Sequence, residues 1–428
     1  MAGAANAREA CLNSLVSFEK NKGYSNLELN NAINKNKFND LDRAFFTRLF
    51  YGVIEKKLTL DFYIKCLAEK NKDIYLLNIL RMGLYQIIYM EKVPDNAACS
   101  ESVELAKNLK NKQAAGFINA VLRNFLRKRE ELEHKLNSLN NLEIKYSCNY
   151  DIINIWEESY GAEIAEKILK SSEAYTGFAV TVNSLKIERD EYFEILAGQG
   201  IKCEKISRYG VFILEDLPVK DLHGFKEGLF FVQDEASQLC ALELEAKPGD
   251  LILDACAAPG GKSLFTAQAI KNNGRIIALD LRKNKLDMIK SSAERLGVNI
   301  IETHEHDSGK AIPENILEKK ADCIICDVPC SGLGVISKKP EIKYKALESL
   351  SGLAALQYNI LENCAGYLKS GGILVYSTCT LNKKENDEIV YKFLERNNGF
   401  KLERIKTFFP FERKIDGFFV AKMRLDGV

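Results

Sequence analysis

Three stretches of this sequence carry side chains able to do chemistry, and each closes an apolar run. Ala321 to Ile325 leads into Cys326-Asp327-Val328-Pro329-Cys330-Ser331-Gly332-Leu333-Gly334. Leu251 to Leu253 leads into Asp254 and a turn of small residues that ends at Lys262, and Leu374 to Tyr376 leads into Ser377-Thr378-Cys379-Thr380. An apolar segment that ends in an acid, a proline and a thiol before opening into glycines predicts a short buried strand whose loop delivers side chains to a pocket. A free cysteine alone is more often a small core residue than a reactive one. Chemistry repeated at the C-terminal ends of three strands points to function, because open α/β sheets hold their ligands there.

The turn Asp254-Ala255-Cys256-Ala257-Ala258-Pro259-Gly260-Gly261-Lys262-Ser263 has the small side chains that let a ligand approach the backbone at a helix start. It is not the dinucleotide G-x-G-x-x-G, and the first glycine of a P-loop would fall at Cys256. Further on, the strand Ile276 to Asp280 ends in an acid, where a carboxylate can accept hydrogen bonds from ribose hydroxyls. Asp307, ending the next strand region, can meet an adenine amino group. Together Cys256 to Lys262, Asp280 and Asp307 describe a nucleoside cofactor without a pyrophosphate clamp, which suits S-adenosylmethionine. Cys323, Cys326 and Cys330 raise the question of zinc, but Cys323 to Cys326 is an apolar strand without the turn that lets such a pair converge, so no metal is expected. Of the four histidines, only His304 and His306 share a strand face, and they are read as loop residues near the cofactor edge.

These groups need elements to hold them. A chain of 428 residues exceeds one ordinary core, so two or three domains are expected. Hydrophobic content of 46% and charged content of 28% fit a globular protein. The start of the chain lacks a signal-peptide core, and the apolar run Tyr75 to Met90 is broken by Arg81 and Gln86, so a cytosolic protein, taken to be monomeric, is expected. Twelve cysteines without regular spacing then read as reduced thiols. The net charge of +1 does not announce a nucleic-acid partner. Locally, though, Lys107, Lys110, Lys112, Arg123, Arg127, Lys128 and Arg129 form a basic stretch with no acid among them, as a phosphate-contacting surface requires.

Residues 7 to about 140 repeat apolar side chains at helical spacing, as at Phe45, Leu49, Val53 and Ile54, and predict a helical bundle. The Asn- and Lys-rich pieces Asn30 to Asn39 and Asn137 to Asn141 are expected to be loops. Between about 145 and 230, a helical piece around Trp156 to Leu169, strands near Phe178 to Asn183 and Gly210 to Glu215, and a helix at Glu191 to Gln199 suggest a small α+β module. From Asp250 onward, strands alternate with helices and predict a doubly wound parallel sheet, with Lys401 to Thr407 and Gly417 to Met423 as a closing hairpin.

The run Asp254 to Lys262, with Asp327-Val328-Pro329-Cys330-Ser331-Gly332 and Ser377-Thr378-Cys379, closely resembles the RNA cytosine-C5 methyltransferases of the Fmu/Sun/RsmB type, and the likeness extends over nearly the whole chain. Asp42-Arg43 and Phe117 to Asn124 look like that family's NusB-like bundle, and Asp416 to Ala421 like its C-terminal signature. The resemblance implies a multidomain chain: a NusB-like helical RNA-binding domain at 1–142, an α+β connecting module at 143–230, and a Rossmann-like S-adenosylmethionine-dependent domain at 231–428. It implies small-subunit 16S rRNA as substrate, Cys379 as the nucleophile at cytosine carbon 6, and Cys330 in product release. Asp327 is implied at the cytosine edge or the cofactor. Spacing alone leaves the two cysteines interchangeable, since both end strands. Three departures from the family pattern concern RNA contacts: Ser337 to Tyr344, Thr181 and Asn96. The alternative is a non-catalytic RNA-binding or ribosome-assembly factor, against which both cysteines and the cofactor turn stand intact.

Overall fold

The computed structural model describes residues 7–21, 25–68, 73–109, 112–173, 177–215 and 217–427. It divides into two compact units: the chain through Glu157 together with Ile336–Ala346, and Glu158–Val335 together with Leu347–Val428.

The first unit is helical. Asp40–Glu55 is capped at its start by Asn39, whose side chain accepts from the Asp42 amide, and buries Phe46, Leu49, Phe50 and Val53. Phe46 and Phe50, one turn apart, stack with ring centroids 6.0 Å apart. Arg81 does not interrupt the helix Ile74–Tyr89. It is buried, forms a two-pronged pair with Asp61 at 2.7 and 2.9 Å, and reaches Glu19 at 2.8 Å, so its charge is matched where it leaves water. The segment Asn30 to Asn36, expected to be a loop, lies in the helix Ser25–Asn36, because Leu29 and Ala32 give it a buried side that outweighs the low helix propensity of asparagine. Lys112–Arg127 buries Ile118, Val121, Leu122 and Phe125 and turns Arg123 and Arg127 outward, with Lys128 following. Lys107 pairs with Glu104 and Arg129 with Glu133; Lys110 lies outside the described residues.

The strap Ile336–Ala346 belongs to this unit although the sequence places it between catalytic-type strands. The Tyr344 hydroxyl donates to the carbonyl oxygen of Ile54 at 2.7 Å, lies 3.1 Å from that of Glu55, and is 3.0 Å from Ser147 Oγ. Lys343 is fully buried with its Nζ 3.4 Å from the Tyr146 carbonyl, and Ser25 donates to Glu341 at 2.7 Å. The departure at Ser337 to Tyr344 is therefore divided: Glu341 and Tyr344 pack within this unit, while Lys338 and Lys339 are exposed. Thr181 is likewise buried and donates to Gln233, while Asn96 is exposed.

The second unit holds two sheets. The smaller is antiparallel, with strands β1 (Phe178–Val182), β2 (Cys203–Lys205), β3 (Gly210–Ile213) and β4 (Phe230–Val232) in the order β2-β3-β1-β4. Asn183, just past β1, donates to the carbonyl oxygens of Gly228 and Leu296, both at 2.8 Å, and so ties this module to the larger sheet's helices. The larger sheet contains β5 (Leu251–Asp254), β6 (Arg275–Asp280), β7 (Ile301–Glu305), β8 (Ala321–Asp327), β9 (Leu368–Thr378), β10 (Phe400–Phe408) and β11 (Phe418–Leu425). Its order is β10-β11-β9-β8-β5-β6-β7, parallel from β9 to β7 and antiparallel at the closing hairpin. Ile252, Leu253, Ile276, Ile277, Ile324 and Ile325 are buried, as strands covered on both faces require. His304 lies within β7 rather than in a loop, because the strand extends through Glu305. No helix among the described residues is long and apolar enough to cross a membrane.

Tyr344→Phe deletes the strap's shared hydroxyl and leaves its backbone acceptors without their donor. We expect a loss of about 1–3 kcal/mol of stability in urea unfolding, with far-ultraviolet circular dichroism unchanged.

Candidate active site

Five parallel strands bring their C-terminal ends to one edge, and the sequence-selected residues lie along it: Cys379 after β9, Asp327 and Cys330 at and after β8, the Cys256 to Lys262 turn after β5, Asp280 ending β6, and Asp307 just past β7. The turn is pinned from both sides. The Ala257 amide donates to Leu279 O at 2.8 Å, and Ser308 Oγ to Ala255 O at 2.5 Å. Gly260 has φ of +105°, in the left-handed region, and a Cβ there would press on Ile289, so glycine is required before the helix Gly261–Ala269.

Lys262 is buried, and its Nζ donates to Asp327 Oδ2 at 2.5 Å while lying 5.1 Å from the centre of the Phe418 ring. Ser377 Oγ donates to Asp327 Oδ1 at 2.8 Å, so both oxygens of this half-buried carboxylate are oriented from opposite sides. Burial, the largest single effect, weakens the lysine's hold on its proton, but the charge and hydrogen bond of Asp327 together with Cys240 and Asp254 outweigh it, and the net shift is upward. Asp254 is buried, with Oδ2 accepting from Ser263 Oγ at 2.5 Å and Oδ1 without a hydrogen-bond partner among the described residues. Burial, reinforced by the Asp327 charge and opposed by Ser263, pushes its carboxyl up to about 7. Among the described residues the Asp280 side chain accepts the Arg282 amide, at 3.0 Å, leaving acceptor capacity at the end of β6. Asp307 accepts the Gly309 amide at 3.1 Å and pairs with Lys310 at 3.3 Å.

The two sulfurs meet: Cys330 Sγ and Cys379 Sγ are 3.3 Å apart. The Cys330 thiol is pushed well up, first by its hydrogen bond with Cys379, then by burial and by nearby negative charge. Around them is a polar frame that sequence reasoning missed. Glu385, which is buried, accepts from the Ser331 amide, Gln357 Nε2 and Asn382 Nδ2, each at 2.9 Å. Gln357 also donates to Pro329 O at 2.9 Å. Asn386 joins Thr378 and Thr380 on either side of Cys379, at 2.6 and 2.9 Å. The Gly334 amide donates to Cys379 O at 3.0 Å, and the Gly417 amide to Gly334 O at 2.8 Å. A Cβ on Gly334 would lie 2.0 Å from Gly417 O, so the C-terminal signature packs directly on the Cys330 loop. The only sequence signal for this frame was the cluster Asn382 to Asp387, which has the composition of a solvated loop.

Comparison with known proteins agrees in all three regions. The sequence pattern of the NusB family matches residues 5–127, that of the RsmF/B-like methyltransferase ferredoxin-like domain 152–220, and that of the 16S rRNA methyltransferases RsmB/F 241–424. The chain is 36% identical to the probable ribosomal RNA small subunit methyltransferase B of Bacillus subtilis (strain 168), over 98% of this chain and 99% of that one. It is 34% identical to the ribosomal RNA small subunit methyltransferase B of Serratia proteamaculans (strain 568), covering 90% and 91%. Among solved structures, PH0851 shares the fold over 98% of both chains, with a TM-score of 0.81 at 24% identity. NSun6 from Pyrococcus horikoshii, crystallised with SFG, aligns with 65% of this chain and 98% of its own, with a TM-score of 0.59 at 25% identity.

The folded state holds the Asp254 proton up to about pH 7, whereas the unfolded chain releases it near pH 4, so this carboxyl opposes folding increasingly as pH rises through that window. Asp254→Asn is therefore expected to raise the melting temperature at pH 8 relative to the unsubstituted chain, with the difference vanishing near pH 4. Differential scanning calorimetry across pH 4–8 measures it.

Proposed function

The chain belongs to the family of 16S rRNA methyltransferases RsmB/F, and from that premise we propose that it methylates carbon 5 of a cytosine in small-subunit rRNA using S-adenosylmethionine, with Cys379 as nucleophile. The observation that carries this reading is the pair of cysteine sulfurs 3.3 Å apart at the ends of adjacent strands, beside the Lys262–Asp327 pair. Carbon 5 of cytosine is a poor nucleophile until a thiolate adds at carbon 6 and turns the ring into an enamine. Cys379 makes that bond, and carbon 5 then accepts the methyl group. Transfer of the carbon-5 proton to water re-forms the C5=C6 double bond and expels Cys379 as a thiolate, and Cys330, in contact with the departing sulfur, assists this release. Asp327, fixed by Lys262 and Ser377, presents an oriented carboxylate to the cytosine edge.

S-adenosylmethionine, when bound, supplies an electrophilic methyl group. The residues present fit it: the small-residue turn from Cys256 to Lys262 offers close backbone approach, Asp280 retains acceptor capacity for ribose hydroxyls, and Asp307 stands beyond it for the base. The orphaned Asp254 Oδ1 beneath the turn is a further polar group with an unmet acceptor. On this reading residues 1–142 bind RNA, 143–230 connect, and 231–428 catalyse, a division supported by where the family patterns fall.

Two experiments test the proposal. With rRNA and S-adenosylmethionine, Cys379→Ala should abolish methylation and form no covalent complex, whereas Cys330→Ala should stall after methyl transfer and leave protein joined to RNA on denaturing gels. An adduct with Cys379→Ala alone would exchange the two roles. Replacing the outward-facing Arg123, Arg127 and Lys128 by Ala should weaken rRNA binding and lower the slope of log affinity against log salt by roughly 2–3. An unchanged slope would remove this helix from the RNA surface.

A further inference from the structure

We infer that Glu385 is a positioning residue that decides which of the two cysteines attacks, by anchoring the Cys330 loop on a buried negative charge. The inference rests on the nucleophile assignment proposed above. Its geometry is one-sided. Glu385 Oε2 accepts the amide of Ser331, the residue immediately after Cys330, and shares Gln357 with the carbonyl of Pro329, the residue immediately before it. The carboxylate is thus tied to both chain neighbours of Cys330 and bonded to neither neighbour of Cys379, whose flanking threonines are held instead by the neutral Asn386. No lysine or arginine pairs with Glu385 among the described residues; its partners are one amide and two carboxamides.

A buried carboxylate without a counter-cation disfavours a second negative charge nearby. Of the other groups facing Cys330, Asp327 at the end of β8 also raises its thiol, though it is ion-paired with Lys262 at 2.5 Å. Tyr376, from β9, is buried and neutral, its hydroxyl donating to the Glu385 carbonyl at 2.6 Å. Cys379 itself is the remaining neighbour. On this reading the proton shared by the two sulfurs belongs on Cys330, whose thiol is pushed up first by its hydrogen bond with Cys379 and by burial, with the Glu385 charge adding to both. Cys379 then carries the thiolate and Cys330 a proton that it can give to the departing sulfur. Two chemically identical side chains in contact acquire different roles because one of their loops is bolted to a charge.

The test reads thiol chemistry rather than methyl transfer, so it can fail while the methyltransferase proposal stands, and the reverse. In full-length protein carrying Cys379→Ala, the rate of Cys330 alkylation by iodoacetamide, followed by peptide mass mapping, gives the pH midpoint of that thiol. The midpoint should lie above the ordinary cysteine value of about 8.5. Adding Glu385→Gln, which keeps size and an acceptor oxygen but removes the charge, should lower it by about one pH unit, equivalent to roughly tenfold more thiolate below both midpoints. Glu385→Asp, which keeps the charge, should restore most of the shift, as a purely steric role would not. A Cys330 midpoint at or below the ordinary value in Cys379→Ala overturns the inference even if the Glu385 variants fail to fold. So does an unchanged midpoint in folded Glu385→Gln.

Discussion

The catalytic edge depends on one buried ion pair. Lys262 belongs to the turn after β5, Asp327 to the end of β8, and the pair joins them at 2.5 Å with the lysine out of water. Removing one partner of such a pair strands the other charge, typically at a cost of about 3–5 kcal/mol, so turn and strand end are held together by something stronger than a surface salt bridge. Ser377 extends the constraint to β9, and the Phe418 ring closes it from the hairpin. Four separate pieces of chain are thereby brought into register around a single carboxylate. The cysteines inherit their placement from this arrangement, since each follows one of the strands so aligned.

Much of this was legible before any coordinates. Strands buried on both faces announce themselves as short runs of Ile, Leu and Val, and an acid or thiol at the end of such a run can only be there for a local reason. Asp254, Asp280, Asp327, Cys330 and Cys379 were found in this way, and all lie at or just past strand ends on the sheet's C-terminal edge. What stayed hidden were groups whose burial contradicts their chemistry. Glu385 and Asn386 occur in Asn382 to Asp387, a composition indistinguishable from a hydrated loop. They are buried only because the two cysteine loops wrap around them and satisfy their polar atoms. Gln357 was equally silent, one of several polar residues on the helix Leu353–Ala365.

The helical unit shows the same asymmetry. Its amphipathic spacing gave the helices, while asparagine composition concealed Ser25–Asn36, because propensity is a local quantity and burial of Leu29 and Ala32 is not. Arg81 looked like an interruption of an apolar run, but its two acidic partners come from elsewhere in the chain, at Asp61 and Glu19. A sequence shows that a charge is present. It does not show which distant residues will neutralise it.

The strap has a consequence for the order in which the protein can be made. Ile336–Ala346 completes the helical unit, yet 178 residues of the other unit, Glu158–Val335, separate it from the chain ending at Glu157. At ordinary synthesis rates of about 5–20 residues per second, the N-terminal helices wait roughly 10 to 40 seconds for Lys343 and Tyr344 to emerge. During that interval the Ile54, Tyr146 and Ser147 polar atoms that the strap will cover have only water as partner on that side. The usual vectorial sequence, one domain finished before the next begins, is closed to this chain. The helical unit reaches its final form only after most of the parallel sheet has been translated, and the two halves of the protein mature together.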